Sequence, residues 1–197
     1  MARYPTGHKD QTRQHLVDTA REEFRRHGFE AASIDKLMKA AGLTRGGFYA
    51  HFASKEALVQ EVLGIPSGLH NRLREDTSTG PERRAQTAEA FETYLDPNAR
   101  DERVMCPMVA HPMDAYRGGD SRAELYGEQV TGLIELLEAA LEDTPDARRE
   151  ATLLATLAIG AAILGRAVGD DDLASEIENT AASEVRRRLT ARDVGPG

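Results

Sequence analysis

Apolar residues recur along this chain at helical spacing. Between Asp10 and His27, Leu16, Ala20 and Phe24 fall four apart with Val17 beside them, while Arg and Glu fill the other positions. That pattern predicts an amphipathic helix with one buried face, and Gly28 supplies its stop signal. Ile34, Leu37, Met38 and Ala41 define a short second helix, with Ser33 as its N-cap and Asp35 at its positive end. Gly42 ends that helix. Thr44 is placed to cap a third, Arg45–Phe52, which keeps Phe48 and Phe52 on one face. Ser54 is placed to cap a fourth, with Glu56 in its first turn and Leu58 and Val62 facing inward.

Beyond Leu63 the run Gly-Ile-Pro-Ser-Gly at 64–68 interrupts the fourth helix, and residues 77–81 form a loop whose Pro81 suits the first turn of the next helix. A helix over 82–95 aligns Ala88, Phe91 and Leu95, and Asp96-Pro97-Asn98 closes it. The stretch 104–119 is irregular, with two prolines and a double glycine. Long helices follow over 121–142, 145–168 and 171–189. No strand pattern of useful length, internal repeat or low-complexity tract interrupts this order, so the predicted fold class is all-α.

Two short helices joined at Gly42-Leu43 match a helix-turn-helix, with Gly42 at positive φ and Leu43 dropping into the core. Spacing alone fits an ordinary helical hairpin equally well. Charge changes the picture. The chain of 197 residues has a net charge of −8, yet residues 1–56 hold ten Lys and Arg against seven Asp and Glu, a balance of +3 that leaves −11 for the rest. All four lysines and four of the six histidines lie in that first part. The asymmetry points to a small anion-binding head, residues 1–56, on an acidic body, residues 57–197. One cysteine excludes an intrachain disulfide framework and Cys-rich zinc modules. The polar start, Met1 to Arg13, has no apolar signal region, so the expected compartment is the cytoplasm.

The third helix carries the specific chemistry. Two adjacent glycines, Gly46 and Gly47, open it, each costing about 1 kcal/mol relative to Ala. Close approach of the backbone to a large flat partner such as a DNA groove accounts for that cost, and Arg45 beside them can reach a guanine O6/N7 pair. Tyr49 and His51 suit phosphate contacts, Thr44 can cap the helix and bond a phosphate, and Lys55 lies at a helix start that favours one.

Taken together, Thr12-Arg13-Gln14-His15-Leu16, Gly28-Phe29, Ser33-Ile34-Asp35, Ala40-Ala41-Gly42-Leu43-Thr44, Gly47-Phe48-Tyr49, His51-Phe52 and Ser54-Lys55-Glu56-Ala57-Leu58 resemble the DNA-binding head of the TetR/AcrR family. The resemblance covers about the first 60 residues; the remainder matches only in layout. It implies an all-helical homodimeric transcriptional regulator, usually a repressor, with a three-helix DNA-binding head and a larger ligand-binding and dimerisation domain. Carried over by position, the phosphate contacts are Ser33, Thr44, Tyr49, His51 and Lys55, and the base-reading helix presents Arg45, Gly46 and Gly47. The last two long helices, 145–168 and 171–189, would form a four-helix bundle with those of a second subunit, giving an isologous interface. Two-fold symmetry then predicts an inverted-repeat operator on double-stranded DNA.

The run Ala151 to Gly165 has 15 residues without charge, short of the roughly 20 that span a membrane. Its small residues, Ala155, Ala158, Gly160, Ala161, Ala162 and Gly165, permit close helix approach instead, and no membrane partner is expected. For a small-molecule effector the candidate pocket residues are Phe91, Tyr94, Met105, Cys106, Met108, Met113 and Tyr116, which suit a mostly apolar or aromatic ligand; core packing accounts for each equally well. Cys106 with Arg103 nearby also admits a thiol-based redox or electrophile sensor. A small helical enzyme using Cys106, His111 and Asp114 is the alternative from another class, but their spacing fits no metal or triad pattern. The expectation is therefore no enzyme, no catalytic or metal-binding residues and no cofactor. A non-specific architectural DNA binder is disfavoured by the acidic body.

Overall fold

The computed structural model describes residues 8–66, 68–99 and 106–191. In chain order the helices are α1 (His8–Ala31), α2 (Ile34–Ala40), a 3₁₀ helix (Arg45–Ala50), α3 (Lys55–Gly64), α4 (Gly68–Glu75), α5 (Gly80–Leu95), a 3₁₀ turn (Pro97–Ala99), α6 (Pro107–Ala110), α7 (Pro112–Arg117), α8 (Asp120–Ala140), α9 (Ala147–Ala167) and α10 (Asp171–Thr190). The described residues contain no strand, and the all-α class holds. The chain divides into two compact units: Met1–Ile65 with His111–Tyr126, and Pro66–Ala110 with Gly127–Gly197. The expected 1–56 head lies inside the first unit, which also takes in the rest of α3, all of α7 and the start of α8.

In the first unit α1 delivers Leu16, Val17, Ala20 and Phe24 to a core shared with Leu37, Met38, Phe48, Phe52, Leu58 and Val62. Gly28 adopts φ 75°, ψ 166°, so the helical path breaks there as its glycine predicted. The break turns Phe29 back against Phe24, ring to ring at 5.0 Å and 87°. Arg13 pairs with Glu61 of α3, and its guanidinium lies 4.6 Å over the Phe52 ring. Both serine caps form: Ser33 Oγ accepts from Lys36 N at 3.3 Å, and Ser54 Oγ accepts from Ala57 N at 3.1 Å.

Two local expectations are corrected. The third element is a six-residue 3₁₀ helix rather than two α turns, with Gly47 N donating to Thr44 O and His51 N to Phe48 O, both at 2.9 Å. Adjacent glycines and a length below two turns leave little to hold an α-helix there. Thr44 makes no side-chain cap; its backbone carbonyl serves instead.

In the second unit α10 packs on both α5 and α9, around Phe91, Leu95, Leu154, Ala158, Ala162, Val185 and Leu189. A Cβ at Gly165 would lie 2.5 Å from Glu178 Oε1, so α9 and α10 approach closely where the small residues predicted it. By length and composition α9 would pass for a membrane span; Ala151, Leu154, Ala155, Ala158 and Ala162 are instead buried within this unit.

Candidate nucleic-acid interface

The candidate interface is assembled by α2, the turn after it, the 3₁₀ helix and the start of α3. Gly42 takes φ +66°, a conformation costly for any residue with a Cβ. Leu43 N then donates to Met38 O at 2.8 Å, fixing the turn, and Leu43 packs against the core. Phe48 and Phe52 anchor the 3₁₀ helix from below, both buried. With that face committed, Tyr49 is left 60% exposed, edge-on to Phe48 at 5.4 Å.

Ser33, Thr44, Arg45 and Gly46 are exposed, and Gly47, His51 and Lys55 are half-buried. No contact among the described residues demands glycine at 46, where an added Cβ would meet none of them within 4 Å. At Gly47 the nearest atom is Met38 Cε at an ordinary 3.6 Å. His51 Nδ1 is buried with no hydrogen-bond partner among the described residues, so Nε2 is the ring nitrogen left to serve an outside acceptor.

Two lysines are held at the end of α1. Lys36 Nζ donates to Ala31 O at 3.1 Å and Lys55 Nζ to Glu30 O at 3.4 Å, both backbone carbonyls beyond the break at Gly28. Beside Lys55, Glu56 accepts from Arg122 Nε at 2.9 Å and Nη2 at 2.5 Å. These hydrogen bonds hold the Glu56 carboxyl below the usual carboxylate range. Local pattern reading missed Arg122, which lies 66 residues from Glu56. It also missed a second partner of the site, for Arg45 pairs with Asp35 across the turn, Nη1 to Oδ2 at 3.2 Å.

The described pocket candidates are divided between the two units. Phe91, Cys106 and Met108 are buried in the second unit and Tyr94 is half-buried there. Met113 and Tyr116 belong to the first unit and are 55% and 78% exposed. The Pro112–Arg117 helix turns both side chains outward, while its Ala115 faces the core. Met105 and Arg103 lie outside the described residues. Cys106 is buried; His111 stacks on Phe29 at 4.4 Å and pairs with Asp114 at 3.3 Å, so its ring is committed to the first unit's packing.

The family model for bacterial regulatory proteins of the tetR family matches residues 16–62, the segment that builds this interface. Over this segment the chain is similar to the tetR family. Among its relatives, the HTH-type transcriptional regulator AcrR of Shigella flexneri is 40% identical over 62 residues, 32% of this chain and 29% of AcrR. The HTH-type transcriptional repressor KstR2 of Rhodococcus jostii is 37% identical over 89 residues, 45% of this chain and 43% of KstR2. The chain thus matches under half the length of these relatives. Over a longer span this chain shares its fold with the reduced form of E. coli NemR, with a TM-score of 0.74, 21% identity and coverage of 89% of this chain and 95% of NemR. A TetR-family regulator from Chloroflexus aurantiacus gives 0.72 at 21% identity, covering 93% of this chain and 96% of its own.

Proposed function

We propose that this chain is a transcriptional regulator of the TetR family, a repressor rather than an enzyme, that binds an inverted-repeat operator as a homodimer in the cytoplasm. The observation that carries the reading is the exposed, glycine-fronted 3₁₀ helix with Arg45 at its start, seated on Phe48 and Phe52 and followed by the capped start of α3 with Lys55. Such an element can enter a major groove and offer Arg45 to a guanine, while Ser33, Thr44, Tyr49, His51 and Lys55 take phosphates. Matching relatives named as a regulator and a repressor support it.

The homodimer rests on the outer face of α9 and α10. Leu153, Leu164 and Leu173 are 44%, 53% and 44% exposed there. A groove of about 520 Å³ lined by Leu157, Gly160, Leu164, Leu173 and Ile177 runs along it. A second copy related by two-fold symmetry would cover this face with the same helices. An apolar or aromatic effector would enter the second unit near Phe91, Tyr94, Cys106 and Met108. It would alter operator affinity by its differential affinity for two conformations.

Mutants of the head test the reading by operator binding. Arg45→Ala should cost about 1–3 kcal/mol and relax the preference at one base pair. Lys55→Ala should weaken all sequences alike and make the salt slope shallower by about 1. Unchanged affinity in both mutants would remove these residues from the interface.

A further inference from the structure

The ion pair between Arg45 and Asp35 spans the turn of the helix-turn-helix. Arg45 Nη1 donates to Asp35 Oδ2 at 3.2 Å, and Nε lies 3.2 Å from Oδ1. The two side chains are 71% and 59% exposed, and pairs so exposed add little to stability. A carboxylate on a face that meets phosphates also works against binding. The place of Asp35 in the first turn of α2 suits the helix dipole, but that does not account for its pairing with Arg45 across the turn.

We propose that Asp35 is a positioning residue that sets the base specificity of Arg45. This rests on the DNA-binding reading above. Arginine presents five N–H donors in one plane. The carboxylate engages the Nη1 side, and Nη2 makes no hydrogen bond among the described residues. A guanidinium steadied on one side presents its remaining donors in a fixed direction, which suits the paired O6 and N7 acceptors of guanine. The Asp35 carboxylate also repels a phosphate but not a neutral base edge, so it discourages Arg45 from settling on random backbone.

The test is a double-mutant cycle of wild type, Asp35→Ala, Arg45→Ala and the double mutant. Each is measured on a duplex recovered by the wild type from a randomised pool and on a scrambled duplex of equal length. Asp35→Ala should lower the ratio of recovered to scrambled affinity about tenfold, the scale of a lost bidentate base contact, with weakened preference at the base pair that Arg45→Ala affects. In the Arg45→Ala background it should leave that ratio unchanged. A ratio unaffected in the wild-type background makes Asp35 a simple charge and overturns the proposal. A further fall in the Arg45→Ala background means that Asp35 reads a base itself and overturns it equally. Circular dichroism confirms folding of each variant. Failure of the wild type to enrich any duplex overturns the DNA-binding reading itself.

Discussion

Arg122 at the start of α8 donates from Nε to Oε1 of Glu56 at the start of α3, at 2.9 Å. The same guanidinium donates to Glu30 Oε1 at 3.3 Å and lies 5.3 Å over the Phe29 ring. Its side chain is 9% exposed, against 42% for Glu56 and 82% for Glu30. One arginine thus joins α8, the end of α1 and the helix that carries Lys55.

That asymmetry of exposure orders the expected losses. Arg122→Ala removes three hydrogen bonds to charge and the cover on Phe29, so urea denaturation should show a loss of about 2 kcal/mol after allowance for the solvated partners. Glu56→Gln should cost less, and Glu30→Gln no more than about 0.5 kcal/mol. Equal costs for the two glutamate substitutions would show that Arg122 does not favour Glu56.

Stability should fall in two stages as the solution is acidified. Burial, the main cause at both sites, holds His70 and His111 below their ordinary 6.5. Below that pH the unfolded chain takes up protons that the folded chain refuses, so stability declines from about 6.5 downward. Arginine hydrogen bonds hold Glu22 and Glu56 below 4.5 and Glu184 at about 2. Their contribution is complete above 4.5 and is lost as pH falls through the folded-state values. Urea melts at a series of pH values should show both stages, with the first shallower in His111→Gln. Constant stability from pH 8 to about 5 would contradict the buried, neutral histidines.

Gly46→Ala should separate folding from recognition. None of the described residues lies within 4 Å of the added Cβ, so stability should stay level or rise by about 0.5–1 kcal/mol. Operator affinity should fall, because the methyl group stands between backbone and groove. Thermal melts and binding isotherms read the two effects, and undiminished affinity would show that the backbone does not approach DNA there.

Leu164→Asp combined with Leu173→Asp places two carboxylates on the outer face of α9 and α10. Both side chains are solvent-accessible in the single chain, so its helicity should persist. Sedimentation should show monomers and operator affinity should drop, since two linked heads bind far more tightly than one. A dimer that survives both substitutions would place the interface elsewhere.

Much of this molecule is legible in its apolar spacing, because α1, α2 and the long C-terminal helices each bury one face. Ser33 and Ser54 act within three residues of themselves, so their caps are readable locally. The 3₁₀ form of Arg45–Ala50 depends on a balance between weak helix propensity and the anchoring of Phe48 and Phe52, which spacing does not resolve. Arg122 with Glu56, and Arg45 with Asp35, are partners across 66 and 10 residues. No local pattern announces such pairs. The irregular stretch around Cys106 was the least legible, since its prolines break every periodicity and its methionines suit a core as well as a pocket.

Recovery of bound duplexes from a randomised pool tests the central claim most directly. The wild-type protein at low ionic strength should enrich an inverted repeat whose half-site centres lie one helical turn, roughly 34–36 Å, or a multiple of it apart. Footprinting should show protection on both halves. A pool that remains random after successive rounds, or an enriched site with a single unrepeated half bound by one chain, would contradict the account.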